Sequence, residues 1–256
     1  MWVIALCGCE PSARRVIPLH DSSTERPRVG AIEVQDEGSQ LATLLSGAKP
    51  GEQVIDLCAG AGGKTLALAA MMQGKGRLIA TDHDKRQLAP IYERLSRAGV
   101  HNCDVRTPKG EGDTLSDIHA SADLVLIDAP CTGTGTWRRN PDAKWRMRPG
   151  ALEVRLKDQV AVLDRAAALV KPGGRIAYIT CSVLPQENGE QIRGFVARHS
   201  EFIIVPPALT TTVLWDRAEA FAAATLQSAE GLLMTPRRTG TDGFFVSVLK
   251  RKPSSS

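Results

Sequence analysis

The stretch Asp56–Thr65, "DLCAGAGGKT", follows the apolar run "EQVIDLC" and precedes the aliphatic run "TLALAAMMQ". It reads as a strand, a tight glycine turn and a helix, the opening unit of an α/β layer fold. Two phosphate-binding readings fail on spacing. A P-loop needs glycine five positions before its Gly-Lys-Thr, and Cys58 stands there. A dinucleotide fingerprint accepts Gly60 and Gly62 but meets Thr65 where a third glycine belongs. What remains is a turn that lets a ligand approach the backbone, at the N-terminus of a helix with free N–H groups.

Outward from this turn the pattern repeats. "GRLIATD" reads as a second strand ending on Asp82, and "KRQLAPIYERLSRAG" as one helix closed by Gly99. "NCDVRT" fits a third strand, "ADLVLIDAP" a fourth and "GRIAYITC" a fifth, with "LEVRLKDQVAVLDRAAALV" a helix between the last two. Upstream, "DEGSQLATLLSG" is a helix. Downstream, "GLLMTPRRTGTDGFFVSVLKRK" is two strands around a turn. Alternating strands and helices predict a mainly parallel sheet covered on both faces, with an antiparallel hairpin at its C-terminal edge. Ligands of such sheets sit beyond the carboxyl ends of the strands. Cys58 to Lys64, Asp82, Asp128, Cys131 and Cys181 all fall there. An acid about twenty residues after a glycine turn can accept both hydroxyls of a ribose. Asp82 therefore points to a nucleoside-containing cofactor, with NAD and S-adenosylmethionine both open on these residues alone.

The bulk numbers fit a layered domain. The chain has 256 residues, 43% hydrophobic but only 4% aromatic, and a formal net charge of +4. No apolar run is long enough to span a bilayer. The opening "MWVIALCGC" lacks the positive start of an export signal. The six cysteines, at 7, 9, 58, 103, 131 and 181, are scattered rather than paired, which suits a reduced cytoplasm. Only Cys7 and Cys9 are close together, so no metal site is expected. Cys58 and Cys103 read as small buried hydrophobes. Cys131 and Cys181 leave their strands at the ligand edge and read as a pair facing one cleft. Residues 1 to 29 are unpatterned, rich in Pro and Arg. Residues 30 to 252 carry the pattern, and 253 to 256 form a tail.

The segment "GTWRRNPDAKWRMRPG" follows Cys131 directly. It carries Arg138, Arg139, Lys144, Arg146 and Arg148, with Trp137 and Trp145 between them. Basic side chains neutralise phosphates and aromatic rings stack on splayed bases, so this segment reads as a nucleic-acid surface, the alternative being a solvated charged loop with both tryptophans in the core.

These stretches carry a resemblance. "EVQDEGSQL", "DLCAGAGGKT", "TDHDKRQL", "LIDAPCTGTGTWRRNPDAKW", "KPGGRIAYITCSVLPQEN" and "TDGFF" stand in the order of the motifs of the NOL1/NOP2/Sun family of RNA (cytosine-C5) methyltransferases. Within it, the chain resembles the bacterial Sun/RsmB-like ribosomal RNA enzymes. The resemblance implies a Rossmann-like methyltransferase fold, S-adenosylmethionine as cofactor, and ribosomal RNA as partner. It implies Cys181 as nucleophile and Cys131 as the thiol that releases product, with Asp128 bonding the exocyclic amine or protonating the ring nitrogen, close to the cofactor. Cys58, Ala59, Gly60, Ala61, Gly62, Gly63 and Lys64 would wrap the methionine end of the cofactor, with Ala61 where the family usually has Pro. Asp82 would hold the ribose. The adenine amine would meet Asp113 if the loop before it carries an insertion, and Asp104 if not; Asp113 is preferred. The resemblance also implies an N-terminal RNA-binding region ahead of the catalytic domain, of which residues 1 to 29 would be a remnant. A monomer is expected. A dehydrogenase would need neither the paired thiols nor the basic segment, whereas an RNA-binding assembly factor of the same fold stays open.

Overall fold

The computed structural model describes residues 2–5, 17–18, 32–108 and 112–254, the first two stretches and Ile32 as backbone alone. The chain begins with three short strands, β1 (Trp2–Ala5), β2 (Ile17–Pro18) and β3 (Ile32–Val34), paired antiparallel in the order β2-β1-β3. Within the stretch 1 to 29, read from sequence as unpatterned, "WVIA" forms a strand that pairs with Ile17–Pro18 on one side and with Ile32–Val34 on the other. The remainder of that stretch, with Cys7 and Cys9, lies outside the described residues.

The main body follows the alternation. Helix α1 (Glu37–Leu44) starts at Asp36, whose carboxylate accepts from the N–H groups of Gly38 and Ser39. Then come β4 (Gln53–Asp56), α2 (Gly63–Met72) and β5 (Arg77–Thr81). The single helix expected next is two, α3 (Lys85–Leu88) and α4 (Ile91–Arg97). Pro90 between them has no N–H to give the helix ladder. Strand β6 (Cys103–Arg106), strand β7 (Ala122–Asp128), the short α5 (Ala143–Arg146), the long α6 (Ala151–Leu169) and β8 (Val170–Thr180) complete the parallel part.

Beyond β8 the chain forms elements that the apolar pattern did not announce: α7 (Gly189–Arg198), β9 (Phe202–Ile204), α8 (Pro207–Thr210), α9 (Ala218–Ala224) and β10 (Leu226–Gln227). The terminal pair is β11 (Leu232–Met234) and β12 (Phe244–Arg251), with α10 (Pro236–Thr239) in their connection.

The large sheet runs β10-β11-β12-β8-β7-β4-β5-β6, with β9 also on β12. Strands β8, β7, β4, β5 and β6 are parallel, and β12 enters antiparallel against β8. Alternate residues of one strand face opposite layers. Ile55, Val125 and Ile127 pack with Leu163 of α6 and Phe195 of α7, whereas Val54, Leu124 and Leu126 pack with Leu68 and Met72 of α2. That two-sided burial is why these strands read as continuous apolar runs. The strand order reverses between β4 and β7, and the crevice at that reversal is where such sheets bind ligands. This is the Rossmann-like doubly wound architecture, with an antiparallel C-terminal edge, that the resemblance implies. No helix of the described residues is long and apolar enough to cross a membrane.

Candidate active site and nucleic-acid interface

A cavity of about 390 Å³ opens at the reversal point. Its walls include the loop Cys58–Lys64 after β4, Asp82 after β5, and Asp128 and Pro130 after β7. Gly62 makes the loop possible. Its φ of +88° is left-handed, and a Cβ there would stand 2.5 Å from Ile91 Cγ1. Asp82, 5% exposed, is held by two backbone donors: Gly60 N–H to Oδ2 at 2.9 Å and Asp84 N–H to Oδ1 at 2.9 Å. Beneath the loop, the buried Asp56 accepts the Thr65 hydroxyl at 2.7 Å, and its other oxygen has no partner. Burial raises Asp56 from the ordinary 3.8 to about 7.

At the cavity floor Lys64, itself buried, donates to Asp128 Oδ2 at 2.7 Å. Beside this pair lie the two thiols. Cys131 and Cys181, fifty positions apart in sequence, stand Sγ to Sγ at 3.4 Å. With Cys131 as donor, this hydrogen bond holds the Cys181 thiol below its ordinary value, and the Lys64 ammonium helps. Burial and Asp128 oppose. The same bond, burial, and the charges of Cys181 and Glu187 push Cys131 well up. Cys181 is thus the more acidic thiol of the pair and Cys131 the one that holds the shared proton. The remaining described cysteines differ. Cys58 packs on the core and Cys103 lies on β6, with burial pushing Cys103 up to about 12 and Cys58 well above its ordinary value.

The thiol loops are locked together by main chain. Gly135 N–H donates to the Cys181 carbonyl at 2.9 Å, and Gly243 N–H donates to the Gly135 carbonyl at 2.8 Å. A Cβ on Gly135 would meet Gly243 O at 2.2 Å, so the three segments touch backbone to backbone. This explains why "TDGFF" stands among the recognisable stretches though it carries no reactive group.

A second cavity, about 330 Å³, opens on the other side of Cys131. Arg146, Arg148 and Arg155 line it, together with Thr132, Met147 and the first residue of α6. Nearby, Trp145 is 80% exposed, with Lys144 Nζ 4.9 Å from its ring. Trp137 is partly buried, its indole N–H unpartnered.

Several expected residues sit elsewhere. Arg138 and Arg139 do not stand free: both reach Asp242, which is 0% exposed, at 3.5 Å and 2.8 Å. A carboxylate so deeply buried demands cations, so these two arginines anchor the terminal turn. Asp113 accepts from Arg165 at 2.5 Å and from Leu115 N–H at 3.0 Å, while Asp104 meets Arg77 and Arg106. Neither lines the first cavity. Gln35, Ser39, His83, Gln87 and Arg94 do, though the sequence reading gave them no role. "EVQDEGSQL" held the signal for the first two. Among the described residues no group of three His, Cys, Asp or Glu side chains is placed to hold a metal ion.

Residues 42–250 match the 16S rRNA methyltransferase RsmB/F family. The chain belongs to that family. Ribosomal RNA small subunit methyltransferase B of Erwinia tasmaniensis is 36% identical over 229 residues, covering 87% of this chain and 48% of the relative. The same-named protein of Yersinia enterocolitica is 34% identical over 245 residues, covering 94% and 52%. The chain thus spans about half the length of these curated relatives. Among solved structures, that of PH0851 superposes with a TM-score of 0.75 at 33% identity, covering 92% of this chain and 51% of that one.

Proposed function

We propose that this chain methylates carbon 5 of a cytosine in ribosomal RNA, with S-adenosylmethionine as methyl donor and Cys181 as nucleophile. The observation that carries this reading is the 3.4 Å thiol pair, with Cys181 lowered and Cys131 raised. The first cavity fits the donor. The buried Asp82 carboxylate is an acceptor for ribose hydroxyls. Lys64 and the N–H groups at the start of α2 suit a carboxylate, and Asp128 suits a sulfonium. Bound there, S-adenosylmethionine supplies an electrophilic methyl group.

Carbon 5 of cytosine is too electron-poor to accept that group unaided. The Cys181 thiolate adds to carbon 6, forming an S–C6 bond and moving the C5=C6 electron pair onto carbon 5. After methylation the carbon 5 proton leaves to a base. Its bonding pair re-forms C5=C6 as the S–C6 bond breaks, and the thiolate returns to Cys181. The family resemblance assigns this release to Cys131. Asp128, ion-paired with Lys64, is an acceptor rather than a proton donor, which favours its bond to the exocyclic amine over protonation of the ring. The second cavity gives the RNA its entry. Arg146, Arg148 and Arg155 meet phosphates, and Trp145 offers a stacking face to a base drawn out of its helix.

Tritiated methyl transfer to unmodified ribosomal RNA, followed by nucleoside analysis, tests the reading; label anywhere but 5-methylcytidine refutes it. Cys181→Ala should abolish both methylation and covalent capture of RNA. Cys131→Ala should leave a protein–RNA adduct that migrates slowly on a denaturing gel. The opposite pattern would exchange the roles of the two thiols.

A further inference from the structure

The loop that carries Cys131 is fastened to a buried carboxylate. Glu187, 0% exposed, ends the short turn Pro185–Glu187 that follows β8. Its Oε1 accepts from Thr132 N–H at 2.8 Å and from Gln159 Nε2 at 3.1 Å. Its Oε2 accepts from the Thr132 hydroxyl at 2.5 Å. Gln159, on α6, also donates to the Pro130 carbonyl at 2.9 Å, and the Tyr178 hydroxyl donates to the Glu187 carbonyl at 2.7 Å. Both chain neighbours of Cys131 are therefore tied to one side chain and its amide partner. Glu187 lines neither cavity.

A neutral amide in its place could still accept from Thr132 N–H. Burying a full charge is costly even when three donors satisfy it, so the charge itself invites an explanation. The groups around the thiols are unevenly placed. Lys64 and Asp128 act on Cys181 from the first cavity. Arg146, Arg148 and Arg155 line the second cavity together with Cys131. Tyr178 and Glu187 flank Cys131 from the interior. Beside Cys181 itself, Glu187 is the charge that acts to keep the proton on Cys131.

Resting on the thiol roles proposed above, we infer that Glu187 is a positioning residue that decides which thiol keeps the proton: its bonds hold Cys131 against Cys181, and its charge keeps Cys131 neutral. Glu187 touches no substrate and acts through Cys131. Without it, Cys131 loses one of the contributions that keep its proton in place, beside the Cys181 bond and burial, and the resting pair becomes less polarised.

The test needs neither RNA nor cofactor. The whole chain is treated with limiting iodoacetamide across a pH series, and Cys131 and Cys181 are quantified by peptide mass mapping. The wild-type chain should label Cys181 first. Glu187→Gln keeps the shape and can still accept from Thr132 N–H, yet removes the charge. It should reduce the Cys181:Cys131 labelling ratio roughly tenfold, the equivalent of one unit of relative thiol acidity. Glu187→Asp keeps the charge and should retain most of the preference. A Glu187→Gln chain with the wild-type ratio and pH midpoint overturns the inference. So does a Glu187→Asp chain that loses the preference as fully as Glu187→Gln does. Because labelling is independent of methylation, ordered labelling in a chain that fails the rRNA assay would separate this inference from the function proposed above.

Discussion

The two cavities that flank Pro130 and Cys131 are built from different material. The first is walled by main chain and by buried side chains, with Asp82 held by two N–H groups and Lys64 held by Asp128. The second is rimmed by arginines from α5, the segment after it and α6, on long side chains largely in solvent. Rigid walls suit a small ligand of one shape, because little ordering remains to be done on binding. Long exposed cations suit a polyanion whose phosphates arrive in many conformations. The contrast predicts that substitutions on the first side act through fold and affinity, and those on the second through salt.

The largest effect expected lies under the first cavity. Folded Asp56 titrates near 7 against an ordinary 3.8, so the folded chain holds that proton more tightly than the unfolded one. The stability this confers is complete below about pH 4 and is lost as pH rises through 7. Urea unfolding of wild type and Asp56→Asn should show the wild-type advantage shrinking by on the order of 4 kcal/mol between pH 4 and 8. Parallel curves would mean that Asp56 does not titrate in this way.

A smaller effect is expected on the cofactor. Asp82→Ala removes a charged acceptor and should weaken S-adenosylmethionine binding by about 1.5–3 kcal/mol, roughly one to two decades in affinity. Calorimetry giving unchanged affinity would take the ribose role from Asp82. The smallest effects belong to the second cavity. Arg148→Ala and Arg155→Ala should each flatten the logarithmic salt dependence of RNA binding by roughly 0.7 and leave cofactor affinity unchanged. Arg138→Ala with Arg139→Ala marks the boundary between the two behaviours. It strips the buried Asp242 of its cations, so lowered stability should precede any change in salt slope.

Much of the first cavity, and of the thiol pair beside it, was legible because their chemistry is local. A glycine turn, an acid at the next strand end and two thiols after apolar runs are all contiguous signals. The second side was less legible because its meaning is tertiary. Arg138 and Arg139 look like Arg146 and Arg148 on paper, and only the fold brings Asp242 to the first two. Glu187 is an ordinary acid in "LPQEN", and nothing within that segment says that its carboxylate is dry. Helix α7 escaped because Gly189 and Gly194 interrupt a short apolar stripe carried by Ile192 and Phe195. The break at Pro90 was readable and was overridden by the apolar positions on either side of it.

The lock between Cys181, Gly135 and Gly243 also sets a timetable. Both thiols have been synthesised once the ribosome passes codon 181, but the peptide groups that clamp their loops belong to a turn some sixty residues later, and β12 must then slot between β8 and β11. A nascent chain halted before Gly243 carries every reactive group but lacks the peptide that fastens Gly135 from the far side. The two thiol loops therefore reach their fully clamped arrangement only once β12 has found its place between β8 and β11.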